Sequence, residues 1–214
     1  MKFKSKIPNP VIRRLGMYYR CLNKLNEEGI EYVASKDLAA RLGIKSSQVR
    51  KDLSYFGEFG KRGVGYNVTE LKEKLENIIG VDRYWNVIII GAGNIGTALA
   101  NYEGLKKEKF KVIGIFDADR SKIGKKVGKL TIQHISELSK FVQKNIVEIA
   151  VIAVPETAAQ MVVEDLEKFN IKGIVNFAPV KLRTDIPVED VDITLSFKTL
   201  AFKIERSKEK KGIK

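Results

Sequence analysis

Gly91-Ala92-Gly93-Asn94-Ile95-Gly96 spaces three glycines as G-x-G-x-x-G, directly after the apolar run Val87–Ile90 and at the start of a helical pattern. In that setting each glycine has a task. Gly91 permits a tight turn, Gly93 lets the backbone approach a pyrophosphate, and Gly96 lets helix and strand pack closely. The phosphates then lie at the positive end of the helix. The next apolar run ends at Phe116-Asp117. A carboxylate there accepts from a ribose hydroxyl and repels a 2′-phosphate, so the expected cofactor is NADH or NAD+ rather than its phosphorylated form. Asp117 stands 26 positions after Gly91, beyond the usual spacing of about 20, which a longer first helix and loop absorb. Two further run ends, Ala153-Val154-Pro155-Glu156-Thr157 and Asn176-Phe177-Ala178-Pro179, point to the same crevice. Val154, Pro155, Thr157, Asn176, Phe177 and Ala178 therefore join the expected cofactor set, with Thr157 equally well read as a helix cap. The motif leaves CoA and flavin as open alternatives.

An enzyme using such a cofactor needs an acid or base beside the transferred hydride. The chain has one histidine, His134, in a short segment expected away from the glycine loop, and it reads as a solvated surface residue. Tyr32/Lys36 and Tyr102/Lys106 have the Tyr-x-x-x-Lys spacing of short-chain dehydrogenases. One pair precedes the glycine motif and the other lies on its first helix, whereas those enzymes carry the pair well downstream. Cys21 is the only cysteine, without a base partner, and no metal-ligand cluster is visible. Binding without catalysis is the economical reading.

A second set of residues suits phosphate and base edges. Ser46, Ser47 and Gln48 open a short helical pattern whose inward face is Val49, Leu53 and Phe56, and Arg50 and Lys51 follow on its outer side. Hydroxyls at a helix start donate to phosphates, and Arg or Gln reads base edges. A glycine-rich stretch, Gly57–Tyr66, forms the expected hairpin, with Lys61 and Arg62 at its tip and Tyr55 and Tyr66 as flanking aromatics.

The elements that must hold these residues fall into two groups. Val11, Leu15, Tyr18, Leu22 and Leu25 give one face of a helix from about Pro10 to Gly29. A helix capped by Ser35 and ended by Gly43, a third capped by Ser46 or Ser47, the hairpin, and a fourth helix over 69–79 complete a winged helix-turn-helix. After a junction at Val81–Trp85, strands at 87–90, 111–116, 147–154, 173–177 and 191–194 alternate with helices at 94–105, 136–144 and 157–169. A last helix carries Phe197, Leu200, Ala201 and Ile204. That alternation predicts an α/β Rossmann-like, doubly wound parallel sheet. The expected division is 1–80 for DNA, 81–195 for the nucleotide and 196–214 for the last helix and a basic tail.

Charge agrees. The net charge is +13, and residues 1–80 hold 16 Lys/Arg against 9 Asp/Glu, while residues 81–202 hold 17 against 15. A basic amino-terminal module suits a phosphate-backbone binder. One cysteine, no apolar h-region and no apolar run long enough to span a bilayer give the expectation of a cytoplasmic protein without membrane association.

Taken together, Val49-Arg50-Lys51-Asp52-Leu53-Ser54-Tyr55-Phe56-Gly57, Gly60-Lys61-Arg62-Gly63-Val64-Gly65-Tyr66, the Gly91–Gly96 motif, Asn176-Phe177-Ala178-Pro179 and Val191-Asp192 resemble the Rex family of redox-sensing transcriptional repressors. The resemblance spans residues 7–204. It implies a homodimer that exchanges its carboxyl-terminal helix, an inverted-repeat operator in double-stranded DNA, and release of that DNA by NADH. It also implies interdomain signalling through Arg20, Tyr102 and Asp192, with Tyr102 near the nicotinamide. The last helix departs from the family pattern, reading Ser196-Phe197-Lys198 where many members carry Glu-Leu-Gln. Two other readings stay open: an NAD-dependent oxidoreductase, or a CoA- or nucleotide-binding module, each with a basic helical appendage.

Overall fold

The computed structural model describes residues 7–61 and 63–212, with side chains through Ser207. The chain divides into two units, Met1–Arg83 and Tyr84–Lys214.

The first unit contains helix α1 (Asn9–Glu27), strand β1 (Tyr32–Val33), helices α2 (Ser35–Leu42) and α3 (Ser46–Ser54), strands β2 (Gly60–Lys61) and β3 (Gly65–Asn67), and helix α4 (Val68–Ile79). The expected stripe of α1 is buried, from Val11 through Leu25. α1 packs on α2 and α4, and Leu38 of α2, Val49 and Leu53 of α3, and Leu71 and Leu75 of α4 are buried with its stripe. Gly43 ends α2 in the left-handed region at φ 66°, turning the chain into α3. β2 and β3 pair antiparallel, and β3 also pairs with β1, so the wing is a three-stranded sheet in the order β1-β3-β2.

The expected caps differ. Ala34 and Lys45 occupy the N-cap positions of α2 and α3, neither with a side-chain cap. The serines lie one position inside, and the Ser35 hydroxyl instead accepts from the Arg50 guanidinium at 3.1 Å. The side chain that does cap is Asn67, which accepts from the Glu70 N–H at 2.9 Å at the start of α4.

The second unit runs β4 (Trp85–Ile90), α5 (Asn94–Ala100), α6 (Glu103–Lys107), β5 (Phe110–Asp117), β6 (Lys126–Val127), β7 (Leu130–His134), a 3₁₀ turn (Ile135–Glu137), α7 (Leu138–Lys144), β8 (Ile149–Ile152), α8 (Glu156–Leu166), β9 (Gly173–Asn176), β10 (Val188–Asp190) and α9 (Ile193–Gly212). The sheet order is β10-β9-β8-β4-β5-β7-β6, parallel except for the β6–β7 pair. Ile88, Ile90, Phe116, Ala150 and Ile152 bury one face beneath α7 and α8. Val87, Ile89, Ile115, Ile132 and Val151 bury the other against Leu99 and Ala100 of α5. A sheet covered on both faces is the doubly wound arrangement, and it explains why its strands read as unbroken apolar runs.

Three expectations need correction. The helix expected over 94–105 breaks at Asn101, and Tyr102 becomes the N-cap of α6. The short strands β6 and β7, with no place in the expected list, fill the span after Asp117. The strand expected over 191–194 lies instead at Val188–Asp190. The Asp192 carboxylate, accepting from the Thr194 N–H at 2.8 Å, starts α9 in its place. α9 therefore begins ahead of the expected boundary at residue 196. Each of its described side chains through Ser207 is exposed, Phe197 at 69 % and Phe202 at 62 % among them. Among the described residues, no helix is long and apolar enough to cross a membrane.

Candidate functional site

Ligands of doubly wound sheets bind beyond the carboxyl ends of the strands, where the strand order reverses. Here the reversal lies between β4 and β8, because the chain leaves β4 toward β5 and returns through β8 on the other side. The loop after β4 is Gly91–Gly93, and the loop after β8 holds Ala153, Val154 and Pro155. They lie together: the Ala153 N–H donates to the Ile90 carbonyl at 2.8 Å, and a Cβ on Gly91 would collide with the Ala153 carbonyl. Gly91 also has φ 103°, a conformation side chains rarely adopt. A Cβ on Gly96 would strike the Gly91 carbonyl oxygen, so the turn and the first turn of α5 touch. Gly93 is different. A Cβ there meets nothing within 4 Å, leaving its glycine character unexplained by internal packing and open toward an incoming group. The first N–H groups of α5, from Asn94 and Ile95 onward, have no intrahelical acceptor, as at any helix start. The residues thus fit a pyrophosphate.

Asp117, at the end of β5, is held tightly. Its Oδ2 accepts from the Ala92 N–H at 2.7 Å and from Lys122 Nζ at 3.0 Å, and its Oδ1 accepts from the Asp119 N–H at 2.8 Å. Burial works to raise its pKa, and the hydrogen bonds from Asp119, Lys122 and Ala92 more than offset that, holding it below the usual carboxylate range. The carboxylate braces the glycine turn through the Ala92 N–H. His134 is in register with Asp117 across the β5–β7 pair. It therefore stands at the carboxyl end of β7, two strands from β4, with Nδ1 turned to Ser136.

The other expected cofactor residues separate into two groups. Val154 and Phe177 are half-buried, and Pro155 and Thr157 are exposed beside the β8 and β9 ends. The cap position of α8 belongs to Pro155, so Thr157 is not its cap. Ala178 is buried, and Asn176 is 1 % exposed. The Asn176 amide donates to the Val180 carbonyl at 2.9 Å and Asp190 Oδ1 at 3.0 Å, and its oxygen accepts from the Ala178 N–H at 3.0 Å. Asn176 is a clamp between the β9 and β10 ends, its amide consumed by the protein. Tyr102 is 62 % exposed, Arg20 is exposed on α1, and Asp192 caps α9.

In the first unit, Ser47, Arg50, Lys51 and Lys61 are exposed, Ser46 and Tyr55 half-buried. A cleft between α3 and the wing is lined by Arg50, Ser54, Glu58, Lys61 and Tyr66. Arg62 lies outside the described residues. Tyr66, expected at the DNA face, is 8 % exposed with its ring stacked over Gly60, which makes it a strut of the hairpin. Gln48 is partly spent too: its Nε2 donates to Asp52 Oδ1 at 2.6 Å.

Asp52 itself escaped sequence reasoning. It is fully buried and accepts from both Arg14 and Tyr18 of α1, the latter at 2.7 Å, besides Gln48. Burial would raise its pKa, and these donors outweigh burial and hold it low. The Tyr18 hydroxyl is pushed up, first by burial and then by the Asp52 carboxylate. α3 is thereby tied to α1 by a hydrogen-bonded network around the buried Asp52 carboxylate. A signal existed: Asp52 lies three residues after Val49 and one before Leu53, on the inward stripe, where an acid needs partners.

A helix-turn-helix with a glycine-rich wing, carried on one chain with a Rossmann-type nucleotide unit, defines the class: a DNA-binding regulator governed by a nucleotide. Residues 82–180 match the model of the CoA binding domain family, and residues 6–54 that of a putative DNA-binding protein N-terminus. The chain is 78 % identical to the redox-sensing transcriptional repressor Rex of Thermosipho africanus, over 95 % of this chain and 99 % of that one. It is 56 % identical to Rex 1 of Thermotoga maritima, over 94 % and 98 %. The crystal structure of RSP, a Rex-family repressor, in complex with β-NAD+ and operator DNA matches with a TM-score of 0.88 at 35 % identity, covering 98 % of both chains. The complex of RSP with β-NADH matches with a TM-score of 0.86 at 34 % identity, covering 99 % of this chain and all of the other. The chain belongs to the Rex family of redox-sensing transcriptional repressors.

Proposed function

We propose that this protein is a cytoplasmic repressor that binds an inverted-repeat operator as a homodimer and leaves it when NADH binds. One observation carries the reading: its relative RSP, alike over nearly the whole chain, is known in complex with operator DNA and β-NAD+ and in complex with β-NADH. Residues 1–83 form the operator-binding module, 84–192 the nucleotide module and 193–214 the exchanged helix and basic tail. The exposed apolar residues Leu195, Phe197, Leu200, Phe202 and Ile204 of α9 are then covered by the partner copy.

Gly91, Ala92, Gly93, Asn94, Ile95 and Gly96 hold the pyrophosphate with backbone N–H groups, and Asp117 accepts from the adenosine ribose. Val154, Pro155, Thr157, Phe177 and Ala178 wall the nicotinamide end. When bound, the dinucleotide supplies a ring whose two redox states differ by one positive charge and by planarity. Phosphate and ribose contacts are common to both states and carry affinity without signal. Signal requires differential affinity for two dimer states. The apolar wall disfavours the charged ring, since burying an unpaired charge is costly. Swinging the dimer from 1:99 to 99:1 needs about 5.5 kcal/mol, which two sites share. Arg20, Tyr102 and Asp192 pass the difference between modules. Ser46, Ser47, Gln48, Arg50, Lys51, Tyr55, Lys61 and Arg62 meet the DNA.

Thermal unfolding tests the ligand. At 100-fold excess over its dissociation constant, NADH should stabilise the protein by about 2.7 kcal/mol. CoA should leave the midpoint where it was. Protection by CoA alone would assign the site to the other ligand, and steady NADH oxidation with a small carbonyl compound would make the protein an enzyme.

A further inference from the structure

We propose that Lys122 sets how strongly the adenosine end of the site discriminates between a free ribose and a 2′-phosphorylated one. The inference rests on the NADH reading above and concerns a residue outside the glycine motif.

A carboxylate offers about four acceptor positions. On Asp117 three are taken: Oδ2 by the Ala92 N–H and Lys122 Nζ, and Oδ1 by the Asp119 N–H. One position is left, enough for a single ribose hydroxyl rather than the usual bidentate grip. The charge is also answered. Lys122 Nζ is 3.0 Å from Asp117 Oδ2 and 3.9 Å from Asp119 Oδ2. The Asp117 side chain is 11 % exposed and that of Lys122 34 %, so the cation is the more accessible partner of the pair. An ammonium has three donors and rotates freely, and the contact with Asp117 spends one of them. Repulsion of a 2′-phosphate by Asp117 is therefore weakened by a cation that also has donors to offer that phosphate. The expected preference for NADH over NADPH is smaller than a bare aspartate would give.

The test is calorimetric titration of NADH and NADPH into the full-length protein, Lys122→Met and Lys122→Arg. Methionine keeps the unbranched stem and removes the charge. Loss of a merely structural ion pair would loosen the Ala92 turn and weaken both dinucleotides alike, so the ratio of the two dissociation constants is the informative readout. In Lys122→Met that ratio should move about tenfold further toward NADH, the scale of one solvent-screened charge pair. Lys122→Arg should keep the wild-type ratio. An unchanged or reversed ratio in Lys122→Met overturns the proposal, as does a wild type that binds NADH with no measurable affinity for NADPH. A wild type that binds neither dinucleotide overturns the NADH reading itself.

Discussion

Gly93→Val should deafen the repressor to NADH while leaving it able to hold its operator. The turn contains three glycines with different reasons for being glycine. Gly91 needs its φ of 103°, and Gly96 sits against the Gly91 carbonyl, so side chains at either position would distort the turn. Gly93 has φ −84° and ψ −167°, an extended conformation that valine adopts readily, and an added Cβ meets nothing within 4 Å. The fold should lose at most about 1 kcal/mol, from a poorer residue at the start of α5. The added methyls would occupy the space proposed for the pyrophosphate. NADH affinity should fall about 100-fold, or about 2.7 kcal/mol, with the thermal midpoint of the free protein lowered by at most about 4 °C. Unchanged NADH affinity in calorimetry would place the cofactor elsewhere.

The second large effect lies in the first unit. Arg14→Met should destabilise it by about 3 kcal/mol, the low end for removing the partner of a buried carboxylate, the Arg14 side chain itself being 23 % exposed. The low end applies because Tyr18 and Gln48 still donate to Asp52. Operator binding should fall with the fold of this unit, while NADH binding by residues 84–214, which have their own core, should persist. The pH dependence has a definite sign. The Asp52 pKa is held below its usual value, so its stabilisation is complete above the unfolded pKa of about 4 and vanishes as pH falls through the lower folded value. Arg14→Met should therefore unfold at a higher pH than the wild type in acid titrations followed by circular dichroism. Arg14→Met with Asp52→Asn should recover most of the loss, because the neutral amide leaves no buried charge unpaired while its oxygen still accepts from the Tyr18 hydroxyl. A double variant whose loss equals the sum of the two single losses would show that the two side chains act independently.

What the sequence made legible followed from periodicity and glycine chemistry. The stripe Val11–Leu25, the apolar strands and the glycine motif each state a local physical requirement, and each stands where that requirement led. Side-chain bookkeeping across elements was harder to read. Asn176 follows an apolar strand and resembles a ligand contact, yet its amide is consumed by Val180, Asp190 and Ala178. Tyr66 looks like an aromatic at a DNA face, yet the bare Gly60 opposite makes room for its ring. Lys122 carries no local signal, and its meaning comes only from the fold that brings it to Asp117. The break at Asn101 was hidden because Asn94–Leu105 has no proline to announce it.

The central claim is that NADH lifts this protein from its operator. The most direct measurement is fluorescence anisotropy of a labelled, inverted-repeat operator pool at fixed salt, titrated with protein and then with NADH or NAD+. Specific binding that collapses with NADH and largely survives equal NAD+ is the predicted result. Operator binding indifferent to NADH, at concentrations that saturate the nucleotide site, would contradict the account.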